Sequence, residues 1–475
     1  MRDPSRCFLF SGLVCACCVA VGPTPASAAT QPAPDPSQSS AVTRRGGAES
    51  AGRMISLDEV LRLADGGNLE LRRAGAGTRV AEGRAREAKL KWLPELQASA
   101  GFSTTDGRVQ GSFGDFRDVQ FQSTEPFGRL SYELNPAEVL FRARAADRRA
   151  AQAQAHTHAV RSTTLTQAAL GYYYLLFARA ALAVALRARD DGRELARIAE
   201  LLVRRGSGRG DEVQRARAEL ARTQQHVVGA QHRLTTTSIR LAGLLDLNPA
   251  VQLIPAESAP TEVTLVKATD DVAALVQRAL RARPEPRQAK DRLSALRADR
   301  HAAIARLASP TLQAYYQEGA TGTNTGDLNG LTQYGVVASW TLSVSQLARV
   351  DTAGEREREA RLSSHELEQR VASQVASAAA AVKAARERIE PAQKALRAAD
   401  EAERIVRARF QHGRSLAIEV IDAQKLAEQA RLDSAQAVVG YDQAQLRLRS
   451  ALGEVRPADL VAGSSEAAGA KPDTG

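Results

Sequence analysis

The sequence predicts a mainly α-helical chain with a small β part, built as two tandem repeats of helix, β-hairpin and long helical hairpin. Three observations predict it. A seam of apolar and small residues runs Val213, Ala216, Leu220, Thr223, Val227, Ala230, Leu234, Thr237, Leu241 and Leu244. Its gaps alternate three and four, a 3.5-residue period that marks helices wrapping with a left-handed supercoil. The seam returns 207 positions later, from Val420 through Ala427, Ala430 and Tyr441 to Ala451, with mostly small residues. The breaks keep the same offset: Gly206 precedes Val213 by seven residues, and Gly413 precedes Val420 by seven. Glycine supplies the freedom a chain reversal needs, and a duplicated pattern outranks any local reading.

The N-terminus reads as a secretory signal. Arg2 and Arg6 flank a short polar start, Cys7 to Val21 is apolar, and Ala26-Ser27-Ala28 is a small-x-small site. A signal peptide is therefore expected over 1–28, with cleavage after Ala28. Val14-Cys15-Ala16-Cys17 leaves a lipoprotein alternative open, with Cys17 acylated. All four cysteines lie in this segment, so a processed chain would have no disulfide or thiol chemistry. Residues 29–52 and 456–475, rich in Pro, Ser, Ala and Gly, read as a flexible linker and a disordered tail.

The first repeat is expected over 53–248. A helix is expected from Ile55 to about Leu90, with Ser56 and Glu59 as a capping box, and Leu93-Pro94 breaks it. From Leu96 the period changes to two: Leu96, Ala98, Ala100 and Phe102 alternate with Gln97, Ser99, Gly101 and Ser103. A polar, Gly-rich loop over about 106–125 follows, then Leu130, Tyr132 and Leu134 alternate with Arg129, Ser131 and Glu133. Strands are expected at about 95–104 and 127–134, and long helices at about 137–205 and 211–246. A Pro-containing linker, 249–271, leads to the second repeat, 272–455. Its strands are expected at about 311–318 and 334–343, and its helices at about 345–411 and 417–452, with a bend or split at Pro391. Pro94 and Pro310 lie 216 positions apart rather than 207, so the first hairpin loop is the longer one.

After the signal segment no run approaches 18 apolar residues, so membrane passage must use strands. Alternation of apolar and polar faces suits a barrel with lipid outside and water inside. Four strands are too few to close one, which requires an oligomer of unspecified number. Trp92, Tyr315, Tyr316, Tyr334 and Trp340 are candidates for an interfacial aromatic girdle. Gln97, Ser99, Arg129, Ser131, Glu133, Gln313 and Ser339 are the candidate pore-facing strand residues; their mixed polarity predicts a hydrated pore without strong charge selection.

No catalytic constellation stands out. His156 and His158 are two apart on a helix and point to different sides. His226 and His232 have no ligand cluster at metal spacing, and Gly206-Ser207-Gly208 lacks the strand and Gly-Lys-Ser/Thr of a phosphate loop. No enzyme, catalytic residue, metal or cofactor is expected. A net charge of +10 without a compact basic cluster interleaved with aromatics does not point to nucleic acid. Aromatics at 4% against 44% hydrophobic residues suit closely packed long helices better than a large globular core.

The order and repetition of these motifs resemble the TolC family of outer-membrane efflux proteins. The residues that carry the resemblance are Ile55-Ser56-Leu57-Asp58-Glu59-Val60, Trp92-Leu93-Pro94-Glu95-Leu96, Leu134-Asn135-Pro136, and the turns Gly206 to Val213 and Gly413 to Val420. The resemblance implies an outer-membrane channel of a tripartite efflux or secretion system. It implies a homotrimer, with a 12-stranded barrel in outer-membrane lipid on an α-helical periplasmic tunnel, working with a periplasmic adaptor (membrane fusion protein) and an inner-membrane pump. It places the periplasmic entrance and adaptor docking at Arg204, Arg205, Gly206, Ser207, Gly413, Arg414 and Ser415. Two departures are Gly208 and Gly210 in the first turn and the Gly-poor exit Trp340-Thr341-Leu342-Ser343. The alternative is a periplasmic adaptor or other soluble coiled-coil scaffold.

Overall fold

The structure is a computed structural model, and it describes residues 52–110, 113–206, 208–257, 260–266, 271–324 and 326–455. The expected signal peptide with its Ala28 and Cys17 sites, the linker before Gly52, Ser207 and the tail lie outside the described residues.

Strand β1 (Arg53–Ile55) leads into helices α1 (Leu57–Gly67) and α2 (Leu69–Leu90). The hairpin β2 (Glu95–Gln110) and β3 (Phe116–Leu134) follows, then the helical hairpin α3 (Pro136–Arg204) and α4 (Gly210–Leu244). Strand β4 (Leu253–Pro255) opens the second set: α5 (Val272–Ala282), α6 (Pro284–Ala308), β5 (Thr311–Gly322), β6 (Leu328–Ser339), α7 (Val344–Gln411) and α8 (Ala417–Ala451). Helix α3 has 69 residues and α7 has 68; α4 and α8 have 35 each. At 1.5 Å per residue α3 is roughly 100 Å long.

Each junction has a local cause. Ser56 accepts a hydrogen bond from the Glu59 amide at 3.3 Å and starts α1, while the Glu59 carboxylate turns to Arg53. A single helix was expected up to Leu90. Instead Ile55 belongs to β1, and Asn68 breaks the helix. The Asn68 side chain caps α2 through the Leu71 amide at 3.1 Å and donates to the Leu244 carbonyl at 2.9 Å, closing the end of α4. Asn135 caps α3 through the Glu138 amide at 3.0 Å, with Pro136 at the first position where its missing N–H costs nothing. Asn135 also donates to the Ser309 carbonyl at 3.0 Å, so the start of α3 is tied to the end of α6. Helix α7 runs unbroken through Pro391 rather than splitting there.

The seams are covered. In α4, Val213, Ala216, Thr223, Val227, Ala230, Leu234 and Leu241 are buried; in α8, Val420, Ala427, Ala430, Tyr441, Ala444 and Leu448 are. Arg179, the polar exception in the α3 register, donates to the carbonyls of Pro255 and Glu257. The linker between repeats is thus partly structured: β4 pairs in parallel with β1, Met54 opposite Ile254. An apolar core joins α1, α3, α4 and these strands around Val60, Leu61, Leu165, Tyr172, Leu175 and Leu241. A second joins α5, α7 and α8 around Leu275, Val371, Val375, Val382 and Leu448. Helix α3 contains one window apolar enough to span a membrane by composition, and this is the helix on which the first core is built.

A polar knot crosses the two helical hairpins. Arg407 of α7 meets Asp191 of α3 at 2.6 Å and Glu403 one turn back; Arg431 of α8 meets Glu403 at 2.7 Å and Asp400 at 2.6 Å. Glu403 is 4% exposed, so loss of either arginine leaves a buried carboxylate short of a partner.

The second linker segment is pinned to α8. Gln445 accepts from the Val266 amide at 2.8 Å and donates back to the Val266 carbonyl at 3.1 Å. Asp442 accepts from the Val263 amide at 2.8 Å, and burial pushes its pKa up to about 8. An acid that keeps its proton more tightly when folded adds stability that is complete below the ordinary aspartate range and is lost as pH rises through about 8. Asp442→Asn keeps the acceptor and removes the titration. Its stability is expected to match the parent's pH trend only below the ordinary aspartate range, and its advantage to grow as pH rises to about 8 and to stay constant in alkali, at on the order of a few kcal/mol; thermal unfolding from acid to alkali checks this, and parallel curves across the whole range would refute it.

Candidate functional site

Two places meet the expectations: the joined helical turns at one end and the four-stranded sheet at the other. At the turns, the sequence ends α3 and α7 with the same device. Gly206 and Gly413 adopt φ of 74° and 68°, the left-handed region that costs a side-chain-bearing residue about 1–2 kcal/mol. The Gly413 amide donates to the Phe410 carbonyl at 2.9 Å and the Arg414 amide to the Arg409 carbonyl at 2.9 Å, the paired bonds of a Schellman cap. In the first turn Gly206 donates to Val203 and Gly208 to Leu202, both at 3.0 Å.

Packing brings the two turns together. Leu195, Ile198 and Ala199 of α3, Val213 and Ala216 of α4, Phe410 of α7, and Ala417, Val420 and Ile421 of α8 form one buried cluster just behind them. Glu212 reaches across and accepts from the Ala417 amide at 3.4 Å, placing a carboxylate at the N-terminus of α8, where the helix dipole favours it. Arg204, Arg205, Gly206, Gly413 and Arg414 are exposed, and Ser415 is half-buried with its hydroxyl on Glu419. Among the described residues Arg204, Arg205 and Arg414 make no ion pair. Sequence reasoning missed the contact of Glu212 with the start of α8, which spans 205 positions and has no local signal.

The sheet has the order β2-β3-β5-β6, antiparallel throughout. Arg129 lies opposite Gln97 and Gln317; Glu133 lies opposite Gln313, and Gln313 opposite Val337. Opposed residues share a face, as do alternate residues along a strand. All seven candidate residues, Gln97, Ser99, Arg129, Ser131, Glu133, Gln313 and Ser339, therefore lie on one face. The other carries Leu96, Leu130, Tyr316 and Tyr334 in a single row across the four strands. These four are 79%, 43%, 45% and 79% exposed, an apolar surface that water does not stabilise.

The strands outrun the alternating pattern. The expected loop 106–125 is mostly ladder: Asp106 pairs with Gln120 and Arg108 with Asp118. Beyond Thr124 of β3, which still faces Gly322, the first hairpin overhangs the second with no neighbour on β3. Asp106-Gly107-Arg108 carries turn-forming and charged residues, and so reads as a loop although its backbone pairs. At the opposite end β6 stops at Ser339, short of the expected 343; Trp340 lies beyond it, its indole donating to the Leu307 carbonyl at 2.9 Å. Tyr315 is not on the girdle face. It shares the polar face, with the Arg129 guanidinium 4.9 Å from its ring centre.

His226 sits between α4 and α8, its Nδ1 3.1 Å from Glu428, with Arg222 3.2 Å from its other nitrogen. Among the described residues no group of three or more His, Cys, Asp or Glu is placed to hold a metal ion.

The sequence profile of the outer membrane efflux protein family matches residues 60–246 and 275–454. No curated protein matches significantly in sequence. Among solved structures, the outer-membrane channel OprN aligns over 84% of this chain and 90% of its own, with 22% identity and a TM-score of 0.72. CmeC, an outer membrane channel of Campylobacter jejuni, aligns over 86% and 89%, with 16% identity and a TM-score of 0.73. The open state of the MtrE outer membrane channel of Neisseria gonorrhoeae aligns over 84% and 88%, with 21% identity and a TM-score of 0.69. These likenesses establish the fold.

An added Cβ meets nothing within 4 Å at Gly206 or Gly413, so Gly206→Ala and Gly413→Ala cost only backbone strain, about 1–2 kcal/mol each. Faster amide exchange confined to the turns, with the global melting temperature nearly unchanged, is the expected result. Global unfolding in either variant would contradict it.

Proposed function

The chain belongs to the outer membrane efflux protein family, and from that premise we propose how this outer-membrane efflux channel is assembled and used. Three copies join edge to edge into a 12-stranded barrel, with the helices extending into the periplasm as a tunnel. The single observation that carries this is the sheet itself. It has two free edges, β2 and β6, and an exposed apolar face. In lipid an unpaired edge leaves backbone groups unsatisfied at several kcal/mol each, and only closure removes both.

The polar face, with Gln97, Ser99, Arg129, Ser131, Glu133, Gln313 and Ser339, lines the pore in this assembly. The turns, with Arg204, Arg205, Gly206, Ser207, Gly413, Arg414 and Ser415, form the periplasmic entrance and dock a periplasmic adaptor that connects to an inner-membrane pump. Their support is position and chemistry: the turns lie at the far end of α3 and α7 from the strands, and Arg204, Arg205 and Arg414 are exposed and present guanidiniums without an ion pair among the described residues to a partner's carboxylates. The duct itself is passive, and the pump supplies the energy. A soluble scaffold would have no use for the exposed row Leu96, Leu130, Tyr316 and Tyr334.

Single-channel recording in a planar bilayer, beside the protein's mass in detergent, tests the assembly. The expected outcome is discrete conductance steps from a particle of three chains. A detergent-free soluble monomer without steps would sink it.

A further inference from the structure

Each strand of the sheet continues into, or from, a long helix: β2 from α2, β3 into α3, β5 from α6, and β6 into α7. The helices keep the strand order, α2 packing on α3, α3 on α6 and α6 on α7. A cavity of about 740 Å³ is lined from all four. Four helices in one layer share a space only on the concave side of that layer. When the layer closes into a ring, that side becomes the tunnel wall; this step rests on the duct reading above.

The wall there is strongly basic. The lining holds seven Arg or Lys side chains against three carboxylates, an excess that the strands above do not show. The carboxylates are largely occupied. Glu138 is held by Arg142 and, at 3.5 Å, by Arg306; Asp299 is held by Arg149. Burial also lifts the Asp299 pKa, against the opposing pull of Arg149, Arg142 and Arg356. Arg84 on α2, Lys91 at its C-terminal cap, and Arg349 and Arg356 on α7 make no ion pair among the described residues, are exposed and line the cavity. On the polar face of the sheet, by contrast, Arg129 shares its face with the carboxylates Glu95 and Glu133. The basic excess thus lies on the helical wall and not on the polar face of the strands.

A ring repeating this wall multiplies the excess around one lumen, and a low-dielectric wall of one sign concentrates counter-ions. We propose that the duct selects for anions, that Arg84, Lys91, Arg349 and Arg356 form the selecting belt, and that the exported compounds carry carboxylate, phosphate or sulfonate groups.

The test uses the full chain in a planar bilayer under a potassium chloride gradient at low ionic strength, where screening is weak. Chloride is expected to permeate roughly tenfold better than potassium, the lower end of field focusing in a charged cleft. Changing all four belt residues to Gln (R84Q, K91Q, R349Q, R356Q) should bring the ratio close to unity while discrete steps persist. A ratio at or below unity in the unmodified protein, or one that the fourfold variant leaves unchanged, overturns the belt and leaves the duct standing. Absence of steps from the unmodified protein overturns the duct reading, and the belt with it.

Discussion

In hydrocarbon, every backbone N–H or C=O left unpaired costs several kcal/mol. The free edges β2 and β6 therefore set the terms for the rest of the chain. A four-stranded sheet is a fragment of a barrel, and each of its strands must continue into something that holds it in register with the next copy. The chain meets that need by running every strand into a helix in the same lateral order. The sheet is then not an appendage on a helical protein. It is the strand end of one layer, and α2, α3, α6 and α7 follow its strands in the same lateral order.

The same dependence explains the ties at the joints. Asn135 caps α3 and bonds to Ser309 at the end of α6, two residues before β5. One side chain thus sets the relative height of β3 and β5, which are neighbours in the sheet but belong to different repeats. A shift of one residue there would exchange the two faces of β5 and put Gln313 and Gln317 on the face that carries Leu130 and Tyr334.

Much of this architecture was readable because it is periodic. The seams around Val213 and Val420 and the glycines before them repeat at one offset, and a helix must bury such a stripe. What was unreadable has no period or no local partner. In the outer part of the first hairpin, Asp106-Gly107-Arg108 has turn-forming composition, so Asp106 and Arg108 look like loop residues although their backbones pair. Strands β1 and β4 are three residues each and depend on a match across some 200 positions. Asn68 looks like a tolerable polar residue inside a helix until its second bond, to Leu244, is seen. The basic belt is the extreme case: Arg84 and Arg356 are unremarkable surface arginines in their own helices, and only the ordering of four helices places them on one wall.

The polar contacts around α8 and the end of α7 also answer a difficulty created by the small-residue seams. An alanine seam such as that of α8 allows close approach, but it looks nearly the same after a slip of seven residues, about 10 Å along the axis. Apolar burial alone discriminates weakly between those registers. Directional bonds do discriminate. Gln445 reads both the amide and the carbonyl of Val266, Asp442 reads the amide of Val263, and Arg431 and Arg407 converge on Glu403. None of these survives a slip of one heptad. Buried polar groups that contribute little net stability in themselves are thus placed where they decide which of several similar packings is the native one, and with it the height at which the two turns meet behind Phe410 and Ile421.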